Sequence, residues 1–218
     1  VITGLLSFSQ MNRACLSSAT QFGFYTSIID MIERFCTEED KQRLIPKIMA
    51  GEISGSMCLT EPSAGSDVGS VKTSATPQDD GTYLLNGSKI FITNGGGGLG
   101  FVLARIKGAP EGLHGISLFL CEQAPIAEGK PLNYTIGKSE HKMGLHGSFT
   151  CVVNYENSVA KLVGKEHKGF QLMLHLMNEA RIAVGLQCLG GIEATLSYAR
   201  EYASERAQFG KNLMEHPL

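Results

Sequence analysis

The run Cys58-Leu59-Thr60-Glu61-Pro62-Ser63-Ala64-Gly65-Ser66-Asp67-Val68-Gly69-Ser70 gathers small, hydroxyl and acidic residues where a short strand-like stretch ends. In such a turn, main-chain N–H groups and the hydroxyls of Thr60 and Ser66 could hold a carbonyl-rich ring or a phosphate. A polar loop that satisfies its own turn accounts for the same residues. The other chemistry-bearing residues give less. Asn94-Gly95-Gly96-Gly97-Gly98 follows a strand-like run, but no helix and no Lys-Ser/Thr ending follow it, so it reads as a flexible β-loop. His141 and His146 flank Lys142-Met143-Gly144 without a spaced third ligand, so no metal site is expected. Met143, Met173, Met177 and Met214 read as core or gap fillers. Six cysteines are scattered with no Cys-x-x-Cys pair, which predicts reduced, mostly packed thiols.

Three zones of different texture must position these residues. Residues 1 to about 50 read as helical. Thr37 ahead of Glu38-Glu39-Asp40 reads as an N-cap followed by acids that oppose the helix dipole. Leu44, Ile45, Ile48 and Met49 fall on one side of that helix, Gly51 is its stop, and Pro46 predicts a bend or a split. From about 56 to 160 the runs become short and β-like. Tyr83-Leu84-Leu85 and Ile90-Phe91-Ile92-Thr93 flank Asn86-Gly87, which predicts a hairpin because both turn residues tolerate positive φ. Phe101 to Ala104, Ile116 to Leu120 and Cys151 to Tyr155 read as further strands, without the strand–helix alternation of a parallel sheet. From about 168 to 208 a single helical pattern carries Phe170, Met173, Met177, Ala180, Val184 and Cys188 at steps of three and four. Leu172, Leu176 and Leu186 add a second apolar side, so its first half is expected to be buried all round by partner helices from outside this chain. Gly185, Gly190 and Gly191 would let another helix or a cofactor come close.

Composition excludes several classes. The 218 residues fit one large domain or two compact ones, and 43% hydrophobic with 18% charged residues is the balance of an ordinary globular protein. Nineteen Lys and Arg against twenty-one Asp and Glu give a net charge of −2, which leaves no electrostatic footprint for nucleic acid. No apolar run approaches the roughly 18 residues of a membrane span.

Four motifs in order carry a resemblance. They are Glu39 to Arg43 with Pro46 and Gly51-Glu52, the run Cys58 to Ser70, Lys89-Ile90-Phe91-Ile92-Thr93-Asn94-Gly95, and Arg206-Ala207-Gln208-Phe209-Gly210. Together, over almost the whole chain, they resemble the acyl-CoA dehydrogenase family of FAD flavoproteins. Gly108 to Gly112, Gly115 to Leu120 and Glu140 to Ser148 further resemble the branch with methylthiopropionyl-CoA dehydrogenases.

The resemblance implies an α+β multidomain fold. It places the end of an N-terminal helical domain at 1–54, a central antiparallel β-barrel or sandwich at 55–164, and the start of a C-terminal up-and-down helical bundle at 165–218. The chain would then be an internal segment. FAD would be held by Met57, Leu59, Thr60, Gly65, Ser66, Phe91, Ile92 and Thr93, with Phe91 stacking on the ring in the place usually held by Trp. Arg206, Gln208 and Phe209 would reach the FAD of a neighbouring subunit, which implies a homodimer or homotetramer. Ser66, Asn178 and Arg181 would face the acyl-CoA substrate. The implied reaction is α,β-desaturation, with hydride passing to flavin N5 and electrons then to an electron-transfer flavoprotein or similar acceptor. The general base is expected beyond Leu218. Glu179 stands one residue away from a position used as base in part of the family, and reads as a solvated or salt-bridged helix acid. Two alternatives stand beside this reading: a non-catalytic binding or structural module of the same fold, and an oxygen-using, acyl-CoA oxidase-like relative. The implied compartment is the cytoplasm of a bacterium or the mitochondrial matrix of a eukaryote.

Overall fold

The computed structural model describes residues 2–124 and 129–217; Val1 and Leu218 lie outside them. Three helices come first: α1 (Ile2–Ala14), α2 (Leu16–Phe35) and α3 (Glu38–Met49). The strands β1 (Ser54–Cys58), β2 (Ser74–Pro77), β3 (Tyr83–Thr93), β4 (Gly98–Ile106), β5 (Ile116–Glu122), β6 (Thr135–Ile136) and β7 (Thr150–Val163) follow. The long helix α4 (Gly169–Glu205) and a small hairpin of β8 (Ala207–Gln208) and β9 (Lys211–Asn212) end the described chain.

The sheet closes on itself. Its order is β1-β4-β2-β3-β7-β5, and β5 pairs with β4 as well as with β7. β4 and β5 lie between two cores, which explains their nearly continuous apolar sequences. Leu99, Phe101, Leu103, Ile116, Leu118 and Leu120 face outward against Ile28, Met31, Ile32, Leu44, Ile48, Met173 and Leu176 of the helices. The alternate residues Val102, Ala104, Phe119 and Cys121 face the barrel interior with Cys151, Val153 and Tyr155. Each fully buried side chain of this size contributes about 1.5–3 kcal/mol relative to exposure.

Several expectations need correction. The sheet is mixed: β1 and β2 both pair with β4 in parallel. Asn86-Gly87 is no hairpin, because β3 runs through it and pairs with β7 on both sides of a bulge. The signal misled because Gly87 does take a positive φ of 151°, but spends it on a bulge; a Cβ there would lie 2.5 Å from the Thr73 hydroxyl. Pro46 does not split α3, whose Thr37 cap accepts from Asp40 N–H and whose stop at Gly51 has a φ of 75°. Met49, placed with the apolar side, is exposed. The glycine run 94–98 is packed and not free: a Cβ on Gly95 would meet Cys151 Sγ at 2.7 Å. Half of the cysteines, Cys58, Cys121 and Cys151, are buried, whereas Cys15 and Cys188 are exposed.

Within this chain, helix α4 packs against α1 and α2. α1 crosses it at Gly190, where a Cβ would stand 2.6 Å from the Ser9 carbonyl oxygen, so the glycine admits a neighbouring helix. Met173 and Leu176 are buried, but Ile182 and Val184 are exposed, so the first half is not covered on every side; Leu189, Ile192 and Leu196 in the second half are exposed as well. α3 is fastened to the barrel by charge. Arg43 donates two 2.7 Å bonds to Glu122, and the buried Asp40 accepts from Arg43 (2.8 Å) and Lys161 (3.0 Å).

Candidate functional site

The turn after β1 and the second half of β3 lie side by side. Ile90 N–H donates to the Thr60 carbonyl (2.9 Å), and Asn94 Nδ2 donates to Ser54 Oγ (2.9 Å) and the Gly55 carbonyl (2.8 Å). Two segments thirty residues apart in sequence therefore form one surface. Beneath it, Lys89 reaches across to the turn. Its ammonium donates to Glu61 Oε1 (2.7 Å) and to the Leu59 carbonyl (3.1 Å), with Lys89 0% exposed. Glu61 also accepts from Thr73 Oγ1 (2.6 Å), Thr73 N–H (3.0 Å) and Lys72 N–H (2.6 Å). Burial pushes the Glu61 carboxyl up, but Lys89 and these donors outweigh it and hold it below the usual range. Burial pulls the Lys89 ammonium down, against the opposing pull of Glu61.

Directly after Lys89 the ladder with β7 slips between Lys89 and Ile92. The bulge holds Phe91 at φ 58°, a conformation that costs a bulky residue about 1–3 kcal/mol. It points the ring outward, 64% exposed. A strained aromatic residue presenting its face to solvent is poor for folding and well suited to stacking on a planar ligand. In the turn that Ile90 bonds to, the main-chain N–H groups of Thr60, Gly65 and Ser66 have no main-chain acceptor among the described residues. An aromatic platform next to main-chain and hydroxyl donors, including Thr93, fits a flat heterocycle with carbonyl edges, as a flavin has.

The other sequence-predicted residues divide by what the fold makes of them. Ile92 is buried in the barrel interior and Leu59 in the core against the helices, so only their main chains are available to a ligand. Met57 is half-buried and lines an apolar cavity of about 110 Å³ between α1, α2 and α4, together with Phe8, Phe24, Leu176, Ala180 and Ala183. Asn178 and Arg181 are exposed on α4, the Arg181 guanidinium donating to Asn178 Oδ1 (2.5 Å). Arg206, Gln208 and Phe209 are exposed on the β8–β9 hairpin at the end of α4, and no hydrogen bond among the described residues links them to the turn after β1 or to the bulge. Phe209 and Gly210 form the two-residue turn with φ of 52° and 78°, so Phe209 is a second strained and solvent-facing phenylalanine, 96% exposed.

Sequence reading missed three features. The cavity depends on helix packing and leaves no local signal. The Glu61–Lys89 pair joins two motifs whose contact no sequence spacing encodes. The third is a charge network between α2 and α4: His175 Nε2 lies 3.2 Å from Asp30 and 3.4 Å from Glu179. The i, i+4 spacing of His175 and Glu179 was legible, but Asp30 was not. Arg34 Nε lies 2.8 and 2.7 Å from the two Asp30 oxygens, so the cluster is a salt-bridge network and its carboxylate is already engaged. His141 and His146 lie with ring centroids 6.1 Å apart, and no metal-ligand group among the described residues includes either.

This fold and this surface define a class. Residues 56–158 match the acyl-CoA dehydrogenase middle domain and residues 167–218 the acyl-CoA dehydrogenase C-terminal domain. The chain belongs to the acyl-CoA dehydrogenase family. It is 38% identical to an acyl-CoA dehydrogenase of Bacillus subtilis over 97% of this chain and 55% of that protein. To 3-methylmercaptopropionyl-CoA dehydrogenase of Ruegeria pomeroyi it is 41% identical over 83% of this chain and 32% of that protein. The structure of butyryl-CoA dehydrogenase from Megasphaera elsdenii superimposes with a TM-score of 0.87 at 37% identity, covering 97% of this chain and 55% of that one. An acyl-CoA dehydrogenase of Bacillus anthracis complexed with FAD gives 0.86 at 29% identity, covering 98% and 36%. The chain thus spans about half the length, or less, of these relatives.

Proposed function

We propose that this chain is the flavin-holding part of an FAD-dependent acyl-CoA dehydrogenase. The observation that carries the proposal is Phe91, held at positive φ with its ring exposed, one residue after Ile90, which bonds the turn that carries the open N–H groups of Thr60, Gly65 and Ser66. FAD, when bound, supplies the hydride acceptor for desaturation of the thioester. Phe91 presents the stacking face, and Thr60 and Thr93 offer hydroxyls to the ring edge. Gly65 and Ser66 form the turn for the polar tail and the substrate. Asn178 and Arg181 stand on the same helix as Ala180, which lines the apolar cavity beside Met57. The cavity takes the acyl group, and its 110 Å³ suits a short chain, sulfur-containing or not. The likeness to butyryl-CoA and 3-methylmercaptopropionyl-CoA dehydrogenases supports a short acyl group without choosing between the two. Arg206, Gln208 and Phe209 serve the FAD site of a second copy in a homodimer or homotetramer, and electrons leave to an electron-transfer flavoprotein or similar acceptor. The general base is supplied from outside these residues.

The test is anaerobic. The protein is loaded with FAD and butyryl-CoA is added under argon while the visible spectrum is followed, first for this chain and then for the longest protein that contains it. Bleaching of the flavin band in the longer protein supports the proposal. An FAD-loaded longer protein that no acyl-CoA bleaches refutes the dehydrogenase reading; bleaching followed by sustained turnover under air, with one peroxide formed per acyl-CoA oxidised, would point to an oxidase.

A further inference from the structure

We infer that Glu61 and Lys89 are positioning residues for the cofactor surface: their buried contact fixes the main chain of the turn and of the bulge at once. The inference rests on the FAD reading above. A buried ion pair rarely stabilises a fold more than apolar side chains of the same size would, so stability alone does not account for one here. What the pair does is geometric. Lys89 is the last residue before the bulge that throws out Phe91, and its ammonium holds the Leu59 carbonyl, one residue before Thr60. Glu61 follows Thr60, closes the turn through reciprocal main-chain bonds with Ala64 (2.7 and 3.2 Å), and accepts from Lys89, Thr73 twice, and Lys72. Three of these donors meet Oε1 and the fourth meets Oε2, so both carboxylate oxygens are held. An apolar pair could fill the volume, but it could not hold Leu59 or orient the turn.

The distinguishing readout is FAD affinity compared at matched stability. Lys89→Met leaves the Glu61 carboxylate buried without its cation and lowers both the melting temperature and FAD affinity. The double variant Glu61→Gln/Lys89→Met removes both charges, so its melting temperature recovers most of that loss. Its FAD affinity stays at least about tenfold weaker than wild type, the usual scale for a supporting shell, and the bound flavin's visible bands move toward those of free FAD. Leu118→Ala is the control for stability: it opens a cavity between β5 and the helices and keeps FAD affinity within about twofold. Recovery of FAD affinity in the double variant, or an equal loss in Leu118→Ala at the same melting temperature, overturns the inference and leaves the FAD reading intact. Failure of the wild-type protein to bind FAD overturns both.

Discussion

Replacing Phe91 by glycine should separate folding from cofactor binding. Relief of the left-handed backbone gains about 1–2 kcal/mol, because glycine has no Cβ to meet the following carbonyl. Glycine loses about 0.5–1 kcal/mol to its freer unfolded chain. The ring is 64% exposed, so about a third of the roughly 1.5–3 kcal/mol of a buried phenylalanine is lost with it, or about 0.5–1 kcal/mol. These contributions nearly cancel. The cofactor-free Phe91→Gly protein is therefore expected to melt within about 4 °C of wild type, the shift of roughly 1 kcal/mol in a chain of this size. Stacking of a flat ring on an aromatic side chain is worth about 1–3 kcal/mol, so FAD affinity should fall about 5- to 150-fold. Thermal melting without FAD and fluorescence titration with FAD measure the two halves. A loss of more than about 2 kcal/mol without FAD would mean that the ring supports the fold, and unchanged FAD affinity would mean that it does not face the cofactor.

Three further outcomes follow from the same structure. Thr93→Val removes a hydroxyl at the surface without changing shape; FAD should bind about 2- to 10-fold more weakly, the worth of one hydrogen bond, with melting unchanged, and equal titration curves would exclude the contact. Ala183→Leu fills the cavity beside Met57, so calorimetry should find butyryl-CoA binding weakened about tenfold while free CoA binds as before; equal losses for both would place the acyl group elsewhere. Asp40 and Glu61 are both held below the ordinary carboxylate range, burial being outweighed by their cations and donors. Each binds fewer protons folded than unfolded, so their contribution is complete above about pH 4.5 and is lost as pH falls through the lowered values. Urea unfolding across that window should show the acid loss, and Asp40→Asn should flatten it; a parallel profile would remove Asp40 from the account.

What was legible in the sequence was local. The Thr37 cap, the Gly51 stop, the α4 period and the apolar runs of β4 and β5 all follow from residues within a turn or two of each other. The two motifs that line the surface are legible as runs of residue types, while the roles of Thr60, Phe91 and Thr93 in them rest on the family resemblance. The pairing of strands is not legible. Asn86-Gly87 carries hairpin chemistry, and only the Thr73 hydroxyl pressed against Gly87 shows why the chain bulges there and continues. The parallel pairings of β1 and β2 with β4 depend on barrel closure, which no period encodes. The bulge at Phe91 is hidden for a related reason: the apolar run Ile90-Phe91-Ile92 gives no sign of a register slip, and Lys89 just before it contacts Glu61, twenty-eight residues away. Likewise α1 reads as helix, but its seat on Gly190 appears only once α4 is folded against it.

The central claim is that the turn after β1 and the bulge of β3 together hold FAD. Hydrogen–deuterium exchange followed by mass spectrometry, with and without saturating FAD, addresses it peptide by peptide. Slowed exchange is expected in peptides covering residues 57–66 and 89–95, with 150–163 and the middle of α4 unchanged. Protection confined to other peptides, or no protection in either segment at saturation, would contradict the account.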